Sequence, residues 1–110
     1  MARTVVNAIE ERKGEDIVML DLREISPIAD YFVIATADNE RMLRALIRSI
    51  DEAIAKNHQF DVQHVEGSPE SGWVLLDYSW VIVHLFGRSQ REFYRLELLW
   101  SDAPVVLRIQ

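Results

Sequence analysis

Gly72 to Phe86 reads GWVLLDYSWVIVHLF and is the densest apolar run in the chain. Val, Ile, Leu, Trp and Tyr dominate it, residue types that fit a pleated, half-buried surface, and its polar break, Asp77 to Ser79, falls near the middle. The pattern predicts a β-hairpin with Ser79 and Trp80 as a two-residue loop. Tyr78 then faces Val81, and the pairs outward are Asp77 with Ile82, Leu76 with Val83, Leu75 with His84, Val74 with Leu85 and Trp73 with Phe86. Successive side chains on a strand point to opposite faces, so one face carries Val74, Leu76, Tyr78, Val81, Val83 and Leu85. That face reads as core. The other carries Trp73, Leu75, Asp77, Ile82, His84 and Phe86, with the carboxylate and the imidazole placed diagonally within reach of each other. It reads either as a surface that recognises something or as a second core holding one polar pair.

The flanking segments supply the rest of a sheet and its cover. Ala2 to Lys13 predicts a short helix with Val5, Val6 and Ile9 on one stripe and Gly14 as its stop. Ile17 to Leu22 and Tyr31 to Thr36 are short apolar runs that read as buried strands, separated by the Ser26-Pro27 break. Asp38 or Asn39 caps a long helix to about Lys56, with Leu43, Leu46, Ile47, Ile50 and Ile54 at helical spacing and a charged opposite side that includes an Arg48–Glu52 pair. Phe60 to Glu66 alternates weakly and reads as an edge strand. After the hairpin, Ser89 and Glu92 form a capping box that opens a last helix to Trp100, with Phe93, Leu96, Leu99 and Trp100 as its buried stripe. The expected fold is therefore α/β: a single domain over residues 1–110 with a mixed five-stranded sheet and flanking helices. Val105 to Gln110 is either a further strand or a tail.

At 110 residues such a domain buries about two-thirds of its unfolded surface without staples. Cysteine is absent, which excludes disulfides, cysteine-ligated zinc and a thiol nucleophile. The first residues mix charge and apolar character too evenly for a signal peptide, and no run approaches the roughly 20 apolar residues of a membrane span, so a cytoplasmic protein is expected. The net charge of −6 argues against direct nucleic-acid readout and suits a basic protein partner.

Catalytic chemistry finds little to stand on. The four glycines sit in ordinary turn positions and make no phosphate cradle. TADNERM, at the start of the long helix, has polar groups able to meet an anion but reads first as a capping loop. Asp77 could orient His84 as the base half of a hydrolytic triad, yet Ser79 lies at the hairpin tip, away from the imidazole. Asp16, Asp21 and Asp30 lack the close spacing of a metal site with Asp77, and His58 and His64 lack partners at ligand spacing. No enzyme, cofactor or metal is expected.

In order along the chain stand G-x-D-I at Gly14 to Ile17, IADYFVIAT at Ile28 to Thr36, Asn39 to Arg41, VEG at Val65 to Gly67, GWVLLDY at Gly72 to Tyr78, VIVHLF at Val81 to Phe86 and REFYRLELLW at Arg91 to Trp100. Together they resemble the bacterial ribosomal silencing factor family, also called the Iojap family, over about residues 9–103. The resemblance implies a nucleotidyltransferase-like sheet without the catalytic equipment of those enzymes. It implies a translational repressor that binds the large ribosomal subunit through ribosomal protein fourteen and blocks joining of the small subunit when nutrients are short. No cofactor and no membrane are involved. The hairpin tip departs from the family's usual Gly-Asp, so its turn is expected to differ. The docking surface is then expected on Trp73, Leu75, Asp77, Ile82, His84 and Phe86, with Trp80 at the tip and Glu97 and Trp100 from the last helix. The alternatives are a nucleotidyltransferase-like nucleotide-binding or transferase enzyme, and a homodimer that uses the same patch on itself.

Overall fold

The structure, a computed structural model, describes the backbone of residues 1–110 and every side chain except those of Glu97 and Leu98. Its hairpin forms in the predicted register: β4, Trp73–Asp77, pairs antiparallel with β5, Val81–Gly87, through Trp73 with Phe86, Leu75 with His84 and Asp77 with Ile82. At the tip the Tyr78 N–H donates to the Val81 carbonyl at 2.9 Å, and Ser79 takes a left-handed φ of 71°. That conformation disfavours a residue with a Cβ. The Asp77 carboxylate offsets the cost by accepting the Ser79 N–H at 2.7 Å. The Trp80 carbonyl in turn accepts from the N–H groups of Asp30 and Tyr31, which ties the tip to the start of the next strand across.

That neighbour is β2, Tyr31–Ala37, which runs parallel to β5; β1, Glu15–Asp21, pairs antiparallel with β2 on its far side. On the hairpin's outer edge lies β3, His64–Ser68, a mostly exposed strand. It starts later than the predicted Phe60, because Phe60 and Val62 fold inward onto the core. Gly67 within it has φ +77° and approaches Trp73 so closely that a Cβ would stand 2.2 Å from the Trp73 carbonyl oxygen, so only glycine fits.

The sheet has six strands in the order β3-β4-β5-β2-β1-β6, which corrects the expectation of five. The sixth, β6, Val105–Ile109, pairs antiparallel with β1, placing Leu107 and Ile109 against the core under the helices. That contact is what turns the undecided tail into a strand.

The aliphatic face of the hairpin is core, as its composition implied. Val74, Leu76, Tyr78, Val81, Val83 and Leu85 pack against α1, Ala2–Glu11, and α2, Glu40–His58. The α2 stripe of Leu43, Leu46, Ile50 and Ile54 is fully buried. Tyr78 keeps its polar end satisfied by donating to Asp51 Oδ1 at 3.1 Å. The charged side of α2 is arranged differently from expectation: Arg44, not Arg48, holds its partners, Glu40 at 3.0 Å and Glu70. Glu70 sits in the single 3-10 turn Pro69–Ser71 beside α2. Its position supplies the closer charge.

Asn39 caps α2, its side-chain oxygen accepting the Met42 N–H at 2.8 Å. Asn39→Ala leaves that donor without its partner and is expected to lower unfolding free energy by about 1 kcal/mol, read from the urea midpoint at unchanged slope. An unshifted midpoint would show that water replaces the cap at no cost.

Candidate docking site

The opposite face of the sheet is where the hairpin's second set of side chains emerges. Register sets it out in rows: Leu20, Phe32 and Ile82 lie side by side across β1, β2 and β5, as do Val18, Ile34 and His84, and Thr36 sits beside Phe86. These residues form a second, smaller core with Leu22, Ala29 and Ala103, onto which Trp73, Leu75, Leu96 and Trp100 pack. Aromatic rings run through it in sequence. Trp100 meets Phe32 edge-on at 5.3 Å, Phe32 meets His84 edge-on at 4.8 Å, His84 stacks on Phe86 at 6.3 Å, and Phe86 meets Tyr94 at 5.6 Å. Edge and offset contacts of this kind suit the ring quadrupoles.

The cover on this face is short. The predicted single helix is two pieces, α3, Arg88–Tyr94, and the single turn α4, Leu96–Leu99, joined at Arg95, whose φ of 45° is left-handed. Gly87 precedes α3 without a side-chain cap, so the Ser89–Glu92 capping box does not form; α3 begins two residues earlier than that box requires. Arg88 holds the start of α3 instead, donating to Asp38 at 2.8 Å and pairing with Glu15, and Arg91 donates to the Thr36 hydroxyl at 2.9 Å.

The break redirects the side chains that follow. Phe93 and Leu99, expected in the buried stripe, are 80 % and 73 % exposed. Leu96 and Trp100 pack inward as expected. Phe93 touches Tyr94 edge-on at 5.2 Å, and Tyr94 lies 6.5 Å from Trp73, so these rings make one exposed aromatic ridge at the sheet's margin. Beneath it Trp73, His84, Phe86, Tyr94 and Leu96 line an apolar pocket of about 120 Å³. Large exposed apolar residues grouped in this way mark interaction surfaces in soluble proteins.

His84 forms the floor of that pocket and is 7 % exposed. Neither ring nitrogen has a hydrogen-bond partner. Burial among apolar groups drives its pKa down to about 4, so the imidazole is neutral near pH 7. The predicted contact with Asp77 is absent. Asp77 is committed to the Ser79 N–H at the tip, and the residues packed around His84 are Phe32, Phe86 and their neighbours. No acid–base pair is assembled there. Among the described residues no group of three His, Asp or Glu side chains is placed to hold a metal ion.

The residues singled out from sequence fall into three places. Trp73 and Leu75 are half-buried at the margin of the ridge, and Trp100 is half-buried against Phe32. Ile82, His84 and Phe86 were expected on an open face but lie beneath it, covered by α3 and α4. Trp80 is 59 % exposed at the tip, yet its ring leans on Phe60, which belongs to the core on the other side of the sheet. The side chain of Glu97 lies outside the described residues. Sequence reasoning missed Phe93, Tyr94 and Leu99 as surface groups, since helical spacing continued through Arg95 hides the break.

The family model described as "Ribosomal silencing factor during starvation" matches residues 1–110. The ribosomal silencing factor of Bacillus subtilis is 39 % identical over 98 residues, covering 89 % of this chain and 82 % of its own length. That of Halalkalibacterium halodurans is 35 % identical, covering 96 % of this chain and 90 % of its own. A crystal structure of a protein from Chromobacterium violaceum superposes with a TM-score of 0.85 at 30 % identity, over 91 % of this chain and 82 % of that one.

Proposed function

The chain belongs to the ribosomal silencing factor family, and from that premise we propose that it represses translation by occupying the large ribosomal subunit. It docks through ribosomal protein fourteen and keeps the small subunit from joining by steric exclusion, lowering translation when nutrients are short. The observation that carries the docking reading is the ridge of Phe93, Tyr94 and Trp73, with Leu99 on the following turn, standing open beside the second core that the last two helices cover. Ile82, His84 and Phe86 support this surface from beneath, while Leu75 and Trp100 form its margins. The net charge of −6 favours a basic ribosomal partner and speeds encounter more than it holds the complex together.

Sedimentation of the chain with purified subunits tests the proposal. The chain should migrate with large subunits, and its addition should lower the yield of joined ribosomes. Joined ribosomes at full yield with the chain still bound would remove the steric part. A chain absent from the large-subunit fraction would remove the docking itself. Light scattering of the chain alone distinguishes a ridge occupied by a second copy.

A further inference from the structure

Beside the ridge, between α3–α4 and the β6 edge, lies a groove of about 490 Å³ lined by Arg91 of α3, Arg95 at the α3–α4 junction and Arg108 of β6. Glu92 is the acidic residue among those lining it, so the groove is locally cationic in a chain of net charge −6. Arg108 forms no ion pair among the described residues. Arg95 donates through Nε to the Glu92 carbonyl at 3.0 Å and stands 3.9 Å from the Glu92 carboxylate, a largely exposed pair that leaves its terminal nitrogens facing the groove's solvent. Arg91 is anchored on the inner wall through Thr36. Arg95 also holds the left-handed backbone that a residue with a Cβ adopts at some cost, and strain of this kind tends to persist where it positions a functional side chain. Planar guanidinium forks match phosphate oxygens, and converging arginines recognise that group better than lysines do.

We infer that this groove seats backbone phosphates of RNA beside the protein-docking ridge, so that the chain holds the large subunit through a protein contact and an RNA contact together. This rests on the docking reading above. The groove and the ridge share one short segment: Phe93 and Tyr94 face the ridge while Arg91 and Arg95, on either side of them, line the groove. Phosphate contacts of this kind position a protein without reading sequence, which agrees with an acidic chain that does not wrap nucleic acid.

The salt dependence of large-subunit binding provides the test. A contact to RNA phosphates releases condensed counterions and gives a steep slope of log affinity against log salt, whereas a contact to an acidic protein segment is only screened and gives a shallow one. Arg95→Gln with Arg108→Gln should weaken binding at low salt and flatten that slope by about 1 for each arginine, roughly 2 in all. Arg95→Lys should keep most of the slope. Arg41→Gln with Arg48→Gln, on α2 against the opposite face of the sheet, should leave it as in the unaltered chain. Weakened binding with a slope changed by well under about 1 would replace RNA by an acidic protein partner, and an unchanged affinity and slope would overturn the site while leaving ridge docking intact. Inorganic phosphate bound at millimolar concentration by the unaltered chain but not by the double variant, with equal large-subunit affinity for both, would assign the groove to a free anion. Failure of the unaltered chain to bind large subunits would defeat the docking reading and this one with it. Matching thermal midpoints for all variants would show that each effect is on binding.

Discussion

Phe93→Asp combined with Leu99→Asp is expected to detach the chain from large subunits by a factor of at least about a thousand, with no loss of thermal stability. Both residues are mostly exposed, so neither contributes much to the core and neither carboxylate is forced into an apolar interior by folding. In a complex the situation reverses. Each apolar side chain covered by a partner contributes roughly 1.5–3 kcal/mol, and two unpaired carboxylates in the same place add a desolvation penalty of similar or greater size. Trp73→Glu is also expected to weaken docking, but Trp73 is half-buried, packs near Tyr94 and lines the pocket with His84, so its replacement disturbs the second core as well. The Phe93–Leu99 pair separates binding from folding where Trp73 does not. Co-sedimentation and a melting curve on the same preparation decide the matter: a folded double variant that binds large subunits as before would move the docking surface elsewhere.

The second large effect comes from His84 and is read by pH. In the folded chain burial lowers its pKa from 6.5 to about 4, while in the unfolded chain the imidazole takes its ordinary value. Between those two values the unfolded state binds a proton that the native state refuses. The stability associated with the neutral imidazole is therefore fully present above pH 6.5, falls as pH drops, and is lost by about pH 4. The whole decline attributable to this residue is on the order of 3 kcal/mol. His84→Phe removes the titration and also removes two buried nitrogens that lack partners. The variant should be more stable near neutral pH by about 1–3 kcal/mol, and its urea midpoint should decline less between pH 6.5 and pH 4 than that of the unaltered chain. Comparing the two chains cancels the carboxylates, which titrate alike in both. Equal declines would mean that the imidazole reaches water or a partner in solution.

Much of the fold was legible because strand side chains alternate with a strict period of two. With one polar break in Gly72 to Phe86, a two-residue loop at Ser79 and Trp80 puts Tyr78 inside and Asp77 at the edge, and the pairing with β2 and the Asp77–Ser79 contact hold the tip in that register. The long helix was legible for a similar reason, its stripe recurring from Leu43 to Ile54 over about three turns after a capping Asn39. The sixth strand was not, since Val105 to Ile109 has no periodicity strong enough to distinguish a strand from a tail. Pairing with β1 supplies the missing preference.

The candidate site was legible only in part. Its location on the second hairpin face follows from alternation, and Trp73 and Leu75 follow with it. Which groups face solvent does not, because over Ser89 to Trp100 a helical repeat looks the same whether the helix is continuous or interrupted. The turn at Arg95, together with the Arg88 and Arg91 anchors to loop and sheet, covers Ile82, His84 and Phe86 and turns Phe93 and Leu99 outward. The sequence alone determined which residues share each face of the hairpin, since that depends on local backbone geometry and chain order. Only the tertiary structure decided that one face would hold both a closed core and an open ridge, since that depends on how far the last two short helices reach across it.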